Sequence, residues 1–129
     1  KVKKNGSCAK TGTVVTFEPD PQVFPEIRFE WKRILDHLRE QAYLTKGVHI
    51  KIIDERDKSK PSLSHSFYFE GGISSYVRHL NRNKKPLFDP PIYFEKTIDD
   101  ILVEISLVYI DDFNEHIFSF ANKTANQKA

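Results

Sequence analysis

Four cations close together in the sequence are the strongest candidates for a binding role. Arg78, Arg82, Lys84 and Lys85 lie within the stretch "RHLNRNKKP". Such groups bind the phosphates of a nucleic-acid backbone, an interaction that is independent of base sequence and weakened by salt. The alternative is a solvated helix end, where cations are favoured by the helix dipole. The sequence therefore predicts four candidate DNA-backbone contacts and leaves this alternative open.

A glycine pair, Gly71 and Gly72, precedes a helical pattern and could present free backbone amides to a phosphate. The sequence lacks both G-x-x-x-x-G-K-S/T and G-x-G-x-x-G, the two motifs that make such a site specific. The simpler interpretation is a tight strand-to-helix turn that needs the backbone freedom of glycine. We therefore predict no cofactor-binding residue.

The densest group of potential metal ligands is acidic and lies near the C terminus: Asp111, Asp112, Glu115 and His116. A metal ion needs such side chains to converge, whereas neighbouring side chains in a hairpin alternate between faces. An acidic turn is the simpler interpretation. The other histidines, which are His37, His49, His65 and His79, are isolated in the sequence. No metal ligand is predicted.

Catalytic nucleophiles are equally poorly supported. Cys8 lies in a polar leader, and no serine stands in a G-x-S-x-G motif. As the sole cysteine it excludes an intrachain disulfide and favours a reducing compartment. No apolar run approaches the roughly 20 residues that cross a membrane, so we expect a cytoplasmic protein. The sequence contains no methionine, which suggests a piece of something larger.

The chain that must position these residues has 129 residues, 39% of them hydrophobic, which suits one compact domain. Its net charge of +2 is too small to indicate nucleic-acid binding by itself. Charge is uneven, however, since residues 95–115 contain seven acids and the single base Lys96. A polarised surface is expected.

The N-terminal half predicts a strand, a loop and a helix. Residues 14–17 favour a strand, and three prolines between residues 19 and 25 favour a loop. Over residues 29–46 apolar side chains recur at three- and four-residue spacing, which predicts a helix with a left-handed cap at Gly47. The apolar members of this stripe are Trp31, Ile34, Leu35, Leu38 and Ala42.

The remaining patterns predict two hairpins and a second helix. Residues 48–54 and 66–70 are predicted to be antiparallel partners, and residues 73–80 have helical spacing. Strand patterns follow at residues 92–96, 101–110 and 116–121, and the last two are expected to pair through an Asp/Asn turn. The predicted class is α+β, a two-layer sandwich of two helices over a mixed or antiparallel sheet.

Four blocks of this sequence resemble the B subunits of bacterial DNA gyrase and topoisomerase IV. They are "KTGTVVTFEPDPQVF" at residues 10–24, "LREQAYLTKGVHIKIIDER" at 38–56, "YFEGGISSYVRHLNRNKKPL" at 68–87 and "FSFAN" at 118–122. Their order and spacing match the family over nearly all of residues 10–122. The resemblance identifies a transducer domain, the second domain of the ATPase region, with a fold similar to the second domain of a ribosomal small-subunit protein.

What the resemblance implies is a role in an ATP-dependent type II topoisomerase, which passes one DNA duplex through a break in another. The parent enzyme would use ATP and Mg²⁺, act on duplex DNA, and assemble with an A subunit and a second B subunit. The transducer would couple ATP binding and hydrolysis to strand passage. No cofactor is expected on this segment alone, and alone it should be inactive. A free-standing nucleic-acid-binding module, or one that regulates a topoisomerase by binding it, is the alternative.

The sequence departs from the family pattern after "FSFAN", where it reads "KTANQKA". We therefore expect a C-terminally truncated transducer that lacks the family's phosphate-sensing lysine. The expected organisation is a polar leader at residues 1–9, a partial transducer domain at 10–122, and a frayed or non-native tail at 123–129.

Overall fold

A computed structural model describes residues 6–7, 9 and 11–126 of the chain. The first helix, α1, spans Trp31–Leu44. Its predicted apolar stripe is half-buried along its length and reaches full burial at Ala42. The helix ends at Leu44 with Thr45 as its C-cap, and Gly47 adopts the predicted left-handed conformation with a φ of +76°. The Gly47 N–H donates to the Phe69 carbonyl at 3.5 Å, so this glycine turns the chain after the helix without capping it. Cys8 lies outside the described residues.

The first predicted hairpin is confirmed, with its second strand shifted toward the N terminus. Strand β1 spans Ile50–Asp54 and pairs antiparallel with β2, Leu63–Phe67. The ladder ends at Phe67, so Phe69 is free to pack beneath α1, where its ring stacks on Tyr43.

Helix α2 spans Gly72–Leu80, close to the predicted residues 73–80. The Asn81 side chain ends it, because Nδ2 donates to the Val77 carbonyl at 2.9 Å. Ile73, Tyr76 and Val77 are half-buried and face α1 and the later strands. The stretch after Asn81 turns toward the C-terminal strands, as the prolines predict.

The prediction of a hairpin between residues 101–110 and 116–121 is wrong. Strand β3, Ile92–Ile98, pairs instead with β4, Ile101–Leu107, through a turn at Asp99 and Asp100. Both turn residues have positive φ, 48° and 64°, the conformation that two-residue hairpin turns need and that aspartate tolerates. The sequence pattern does not reveal this turn because it contains no glycine.

The β3–β4 register places Glu95 directly opposite Glu104. Like charges in that arrangement repel. The Tyr93 hydroxyl lies 2.5 Å from a Glu95 oxygen and 2.6 Å from a Glu104 oxygen, so its one proton serves a pair of carboxylates. Burial and these two hydrogen-bonded carboxylates raise the pKa of Tyr93.

The end of the described chain forms a third, very short hairpin. Strand β5, Phe120–Ala121, pairs with β6, Thr124–Ala125, through Asn122 and Lys123. Asn126 also donates its backbone N–H to the Ser119 carbonyl at 2.9 Å. Residues 124–126 are therefore hydrogen-bonded to the chain that precedes them.

The strand predicted at residues 14–17 is absent: residues 11–20 form neither helix nor strand. Val14 is 93% exposed and Phe17 is 72% exposed. A β-favouring sequence becomes a strand only when a second strand supplies hydrogen-bond partners, and in the described part of the chain none lies beside this segment.

The α+β class is confirmed, with two helices and antiparallel hairpins. The six described strands form three separate two-stranded sheets, where the sequence suggested one sheet. The helices contact each other, α1 packs on β2 and α2 packs on β4. No helix among the described residues is long and apolar enough to span a membrane.

Candidate nucleic-acid interface

The four predicted cations lie at the C-terminal end of α2 and in the turn that follows. Asn81 closes the helix and directs the chain into this turn, where the Lys84 N–H donates to the Asn81 carbonyl at 2.9 Å. Arg78, Arg82 and Lys85 are exposed, and Lys84 is half-buried. The local fold therefore brings the four residues to one end of one helix.

Arg78 is engaged by an acid. Its Nε donates to Asp89 Oδ1 at 2.8 Å, and both side chains are more than half exposed. An exposed pair of this kind is weak, since solvent screens it. A DNA phosphate would have to compete with the Asp89 carboxylate for Arg78.

The acidic segment folds back onto the basic turn. Leu87 donates its N–H to the Tyr109 carbonyl at 2.8 Å, and Asp111 donates its N–H to the Lys85 carbonyl at 3.1 Å. Asp112 follows at once; a hydrogen bond from Asn114 lowers its pKa, and the nearby charge of Lys84 lowers it further. The acidic and basic stretches, separate in sequence, are thus neighbours in space.

The charge of Arg82 acts on side chains of both helices. Burial lowers the pKa of His79, and the charges of Arg82 and Arg39 lower it further. Burial raises the pKa of the Tyr43 hydroxyl, and the charges of the same two arginines oppose that rise. Arg39, from α1, is a further cation that the sequence pattern does not reveal, because only packing of α1 on α2 places it beside residues of α2.

Arg39 is itself held in place by two contacts. Its Nη1 lies 2.9 Å from Asp36 Oδ1, and its guanidinium lies 5.5 Å from the Phe67 ring centroid. These contacts reduce its availability to an anion. Arg82 and Lys85 are the two exposed cations of the predicted set that form no ion pair within the described residues.

A column of aromatic rings underlies this surface. Tyr43 stacks on Phe69 with ring centroids 3.7 Å apart, on Tyr76 at 5.0 Å, and lies 5.6 Å from the His79 ring. Phe118 and Phe120 continue the column beyond Tyr76. The column was not predicted, since its rings come from four separate segments of the sequence.

An open groove of about 400 Å³ lies between α1 and α2 above these rings. Its lining combines two acids, one arginine, two histidines and two tyrosines: Asp36, Glu40, Arg39, His37, His79, Tyr43 and Tyr76. Two carboxylates stand against one guanidinium in this lining, so the groove has no positive field that would select an anion.

The glycine pair serves as a turn. Gly72 has a φ of +53°, its N–H donates to the Phe69 carbonyl at 3.2 Å, and an added Cβ would lie 3.3 Å from Lys46 Cβ. Glycine is needed here for backbone conformation and for close approach of α2 to the end of α1. The turn interpretation agrees with this geometry.

The acidic residues 111–115 are exposed. Asn114 Nδ2 donates to Asp112 Oδ1 at 2.9 Å, a local hydrogen bond between two side chains. Across the described part of the chain, no three His, Cys, Asp or Glu side chains lie close enough together to hold a metal ion. Of the isolated histidines, His79 alone joins the aromatic column.

The family model for DNA gyrase B matches residues 72–129 of the chain. The chain is 44% identical to the DNA gyrase B subunit of Clostridium acetobutylicum over 122 residues, which cover 93% of the chain and 18% of that protein. It is 39% identical over 122 residues to the corresponding Staphylococcus aureus protein. The chain therefore spans about a fifth of the length of these relatives.

Two solved structures share the fold. The 43K ATPase domain of Thermus thermophilus gyrase B, in complex with an aminocoumarin, aligns with a TM-score of 0.74 at 28% identity. The alignment covers 84% of this chain and 29% of that one. The B-subunit of the Myxococcus xanthus DNA gyrase aligns with a TM-score of 0.72 at 23% identity, covering 83% of this chain and 30% of that one.

Proposed function

Because the chain belongs to the DNA gyrase B family and corresponds to its transducer region, we propose that it couples ATP binding and hydrolysis elsewhere in a gyrase B protein to DNA strand passage. The alignment with the 43K ATPase domain carries this proposal, since 84% of the chain aligns with less than a third of that domain. A free-standing nucleic-acid-binding or regulatory module is not favoured, because the matched relatives are gyrase B proteins.

The parent enzyme in this proposal is an ATP-hydrolysing type II topoisomerase that uses Mg²⁺, works with an A subunit and a second B subunit, and acts in the cytoplasm. The 129-residue chain alone hydrolyses no ATP. Neither the glycine pair, Gly71 and Gly72, nor the acidic turn at residues 111–115 supplies a phosphate-binding loop or a metal site. The contribution of the chain in this proposal is therefore mechanical.

A mechanical role requires a structural element whose conformational equilibrium can be shifted from two distant sites. The segment from α1 through Gly47 into β1 has this form, because a helix and a strand are joined by a short connection and pinned at the junction. Gly72 approaches Lys46 there, and Tyr43 stacks on Phe69 just after β2. Displacement of α1 is thereby passed to the β1–β2 hairpin.

The coupling is tested by a chimera in which residues 10–122 of this chain replace the matching part of the 44%-identical C. acetobutylicum protein. With the A subunit present, the chimera should hydrolyse ATP and pass DNA at rates within about tenfold of those of the parent. A tenfold change in rate corresponds to about 1.4 kcal/mol in activation free energy. Chimeras that hydrolyse ATP at the parental rate and transport no DNA would contradict the proposal.

DNA contact is a second part of the proposal. Of the candidates Arg78, Arg82, Lys84 and Lys85, we expect Arg82 and Lys85 to contribute most, because Asp89 pairs with Arg78 and Lys84 is half-buried near the charge of Asp112. Binding by the isolated chain should be no tighter than about 10 to 100 micromolar near physiological salt.

A salt titration of duplex binding tests these contacts. Replacing both residues, Arg82→Ala with Lys85→Ala, should reduce the slope of log affinity against log salt by roughly 2, one for each lost phosphate contact. The matched control, Lys58→Ala with Lys60→Ala, removes two cations from the β1–β2 loop and should leave the slope nearly unchanged. If the two double variants gave the same slope of log affinity against log salt, the DNA-facing surface would not include Arg82 and Lys85.

A further inference from the structure

Residues 11–29, which we term the entry segment, lead into α1 without forming a helix or strand. A turn closes within the segment, where Val23 and Phe24 donate their N–H groups to the Asp20 carbonyl. The Arg28 to Glu26 ion pair is also internal to it. None of these contacts fixes the segment to the rest of the molecule.

One side chain makes that connection. Arg56 donates from Nη1 to the Phe29 carbonyl at 3.3 Å, and its guanidinium carbon lies 5.6 Å from the Phe29 ring centroid. Phe29 in turn packs edge-to-face against Phe17, with centroids 6.1 Å apart. Among the hydrogen bonds, ion pairs and ring contacts of the described residues, these Arg56 contacts alone join the entry segment to the folded body.

Arg56 is itself rigidly oriented. Its Nε lies 2.8 Å from Asp54 Oδ1 and its Nη2 lies 2.6 Å from Asp54 Oδ2, a two-point contact that fixes the plane of the guanidinium. The Arg56 backbone N–H also donates to Asp54 Oδ1 at 3.1 Å.

Asp54 is a suitable anchor for this contact. It is the last residue of β1 and pairs with Leu63 of β2, so the hairpin ladder holds its backbone. Its side chain is only 13% exposed, whereas that of Arg56 is 51% exposed. The carboxylate is therefore the fixed part, and the guanidinium extends from it to Phe29.

We propose that Arg56 is a positioning residue that ties the entry segment to the β1–β2 hairpin, so that movement of the polypeptide preceding α1 is transmitted through Phe29 to β1. This inference rests on the proposed coupling function, because a fixed joint at the entrance is what such coupling requires. Lysine cannot replace arginine fully here, since an ammonium group cannot form the two-point contact with Asp54.

Limited chymotrypsin digestion of the 129-residue chain tests the joint, with mass spectrometry to count cleavage after Phe17, Phe24 and Phe29. Cleavage of a segment that opens reversibly follows the population of its open form. Arg56→Ala should accelerate cleavage at these sites by about three- to tenfold, as expected for loss of a partly screened, charged hydrogen bond. Cleavage at other sites should not change.

Three further variants separate a joint from a general loss of stability. Arg56→Lys should give an intermediate rate, and Asp54→Asn should accelerate cleavage because the guanidinium loses its orientation. The matched control, Arg28→Ala, removes an arginine of the entry segment that is 85% exposed and contacts only Glu26, and should match the parent.

Trp31, the sole tryptophan, supplies a spectroscopic readout two residues from Phe29. Its fluorescence anisotropy should fall in Arg56→Ala and remain unchanged in Arg28→Ala, with circular dichroism equal in both. Unchanged cleavage and anisotropy in Arg56→Ala would overturn the proposal that Arg56 ties the entry segment to the hairpin. Equal effects of Arg56→Ala and Arg28→Ala would overturn it as well. Neither outcome bears on the chimera experiment, so the two proposals fail separately.

Discussion

Two regions of the molecule, each containing an antiparallel hairpin, differ in how they use their apolar side chains. In the first, which we term the helical unit, α1 packs against both α2 and the β1–β2 hairpin. All three fully buried hydrophobic residues described in the structure, Ala42, Tyr43 and Phe67, belong to this unit. In the β3–β4 hairpin, by contrast, Phe94 is 60% exposed and Ile105 is 51% exposed.

The difference shows that hydrophobic sequence alone does not identify a core. The β3–β4 hairpin is as apolar as the helical unit, but its side chains project on both faces and only α2 packs against β4. Near-continuous apolar strands are typical of strands covered on both faces. Since burial stabilises roughly in proportion to the area removed from water, we expect most of the chain's stability to lie in the helical unit.

Removing the centre of the aromatic column should have the largest effect. Tyr43→Ala deletes a ring that is 4% exposed and stacks on both Phe69 and Tyr76. We expect the free energy of unfolding to fall by about 3 to 5 kcal/mol, the usual cost of deleting a buried aromatic ring. Urea denaturation followed by circular dichroism measures this loss.

The control for this variant is Phe113→Ala, which removes a fully exposed ring from the acidic turn. It should change stability by no more than about 0.5 kcal/mol. Similar losses of unfolding free energy in Tyr43→Ala and Phe113→Ala would mean that burial in the helical unit does not determine the stability of the chain.

The next largest effect is expected at the junction inside the helical unit. Gly72→Ala places a Cβ at a φ of +53° and 3.3 Å from Lys46 Cβ. It should destabilise by about 1 to 2 kcal/mol, because a left-handed conformation is costly for alanine. Gly12→Ala, where an added Cβ meets nothing within 4 Å, should be nearly neutral in the same denaturation experiment. If Gly72→Ala left the free energy of unfolding unchanged, the backbone at this junction would be able to accommodate an added Cβ without strain.

The helical unit was also the more predictable region, for physical reasons. The α1 stripe, the left-handed Gly47 and the α2 spacing are local patterns, and each agrees with the structure within a few residues. The predicted partner of β4 is wrong because pairing depends on which turn closes. Asp99 and Asp100 form that turn without glycine, whereas Asp111 and Asn114 only resemble one in sequence.

The candidate interface was predictable only in part. A cluster of cations is visible in sequence, so the position of Arg82 and Lys85 at one helix end could be foreseen. The acids near the other two cations could not be foreseen. Asp89 pairs with Arg78, and Asp112 comes near Lys84 where the Pro86 to Ile110 bridge joins two distant segments. Arg39 reaches the same surface through helix packing, which no local pattern encodes.

A smaller effect is expected in the β3–β4 hairpin. Ile105→Ala removes a side chain that is already 51% exposed, so less area returns to water than at a buried site. We expect a loss of about 1 kcal/mol or less. A loss above about 2 kcal/mol, measured by urea denaturation, would show that this face is packed in the isolated chain and that the two regions are alike.

The smallest effect concerns pH and tests the electrostatics of the helical unit. Burial, assisted by Arg82 and Arg39, holds the pKa of His79 below its usual value near 6.5. The acids Asp36 and Glu40 line the same groove, and burial with the two arginines sets the direction of the shift. In the unfolded chain His79 keeps the usual value, so between about pH 6.5 and the lower folded pKa the unfolded state binds more protons.

Stability should therefore decrease as pH falls below about 6.5, and this contribution should stop changing once the pH is below the folded pKa of His79. His79→Gln should make the urea midpoint less dependent on pH between about 7.5 and 5.5. His49→Gln, a matched change at an exposed position, should keep the parental dependence. If His79→Gln and the parent lose stability equally on acidification, then His79 is not the group that titrates, and burial beside Arg82 and Arg39 does not lower its pKa on folding.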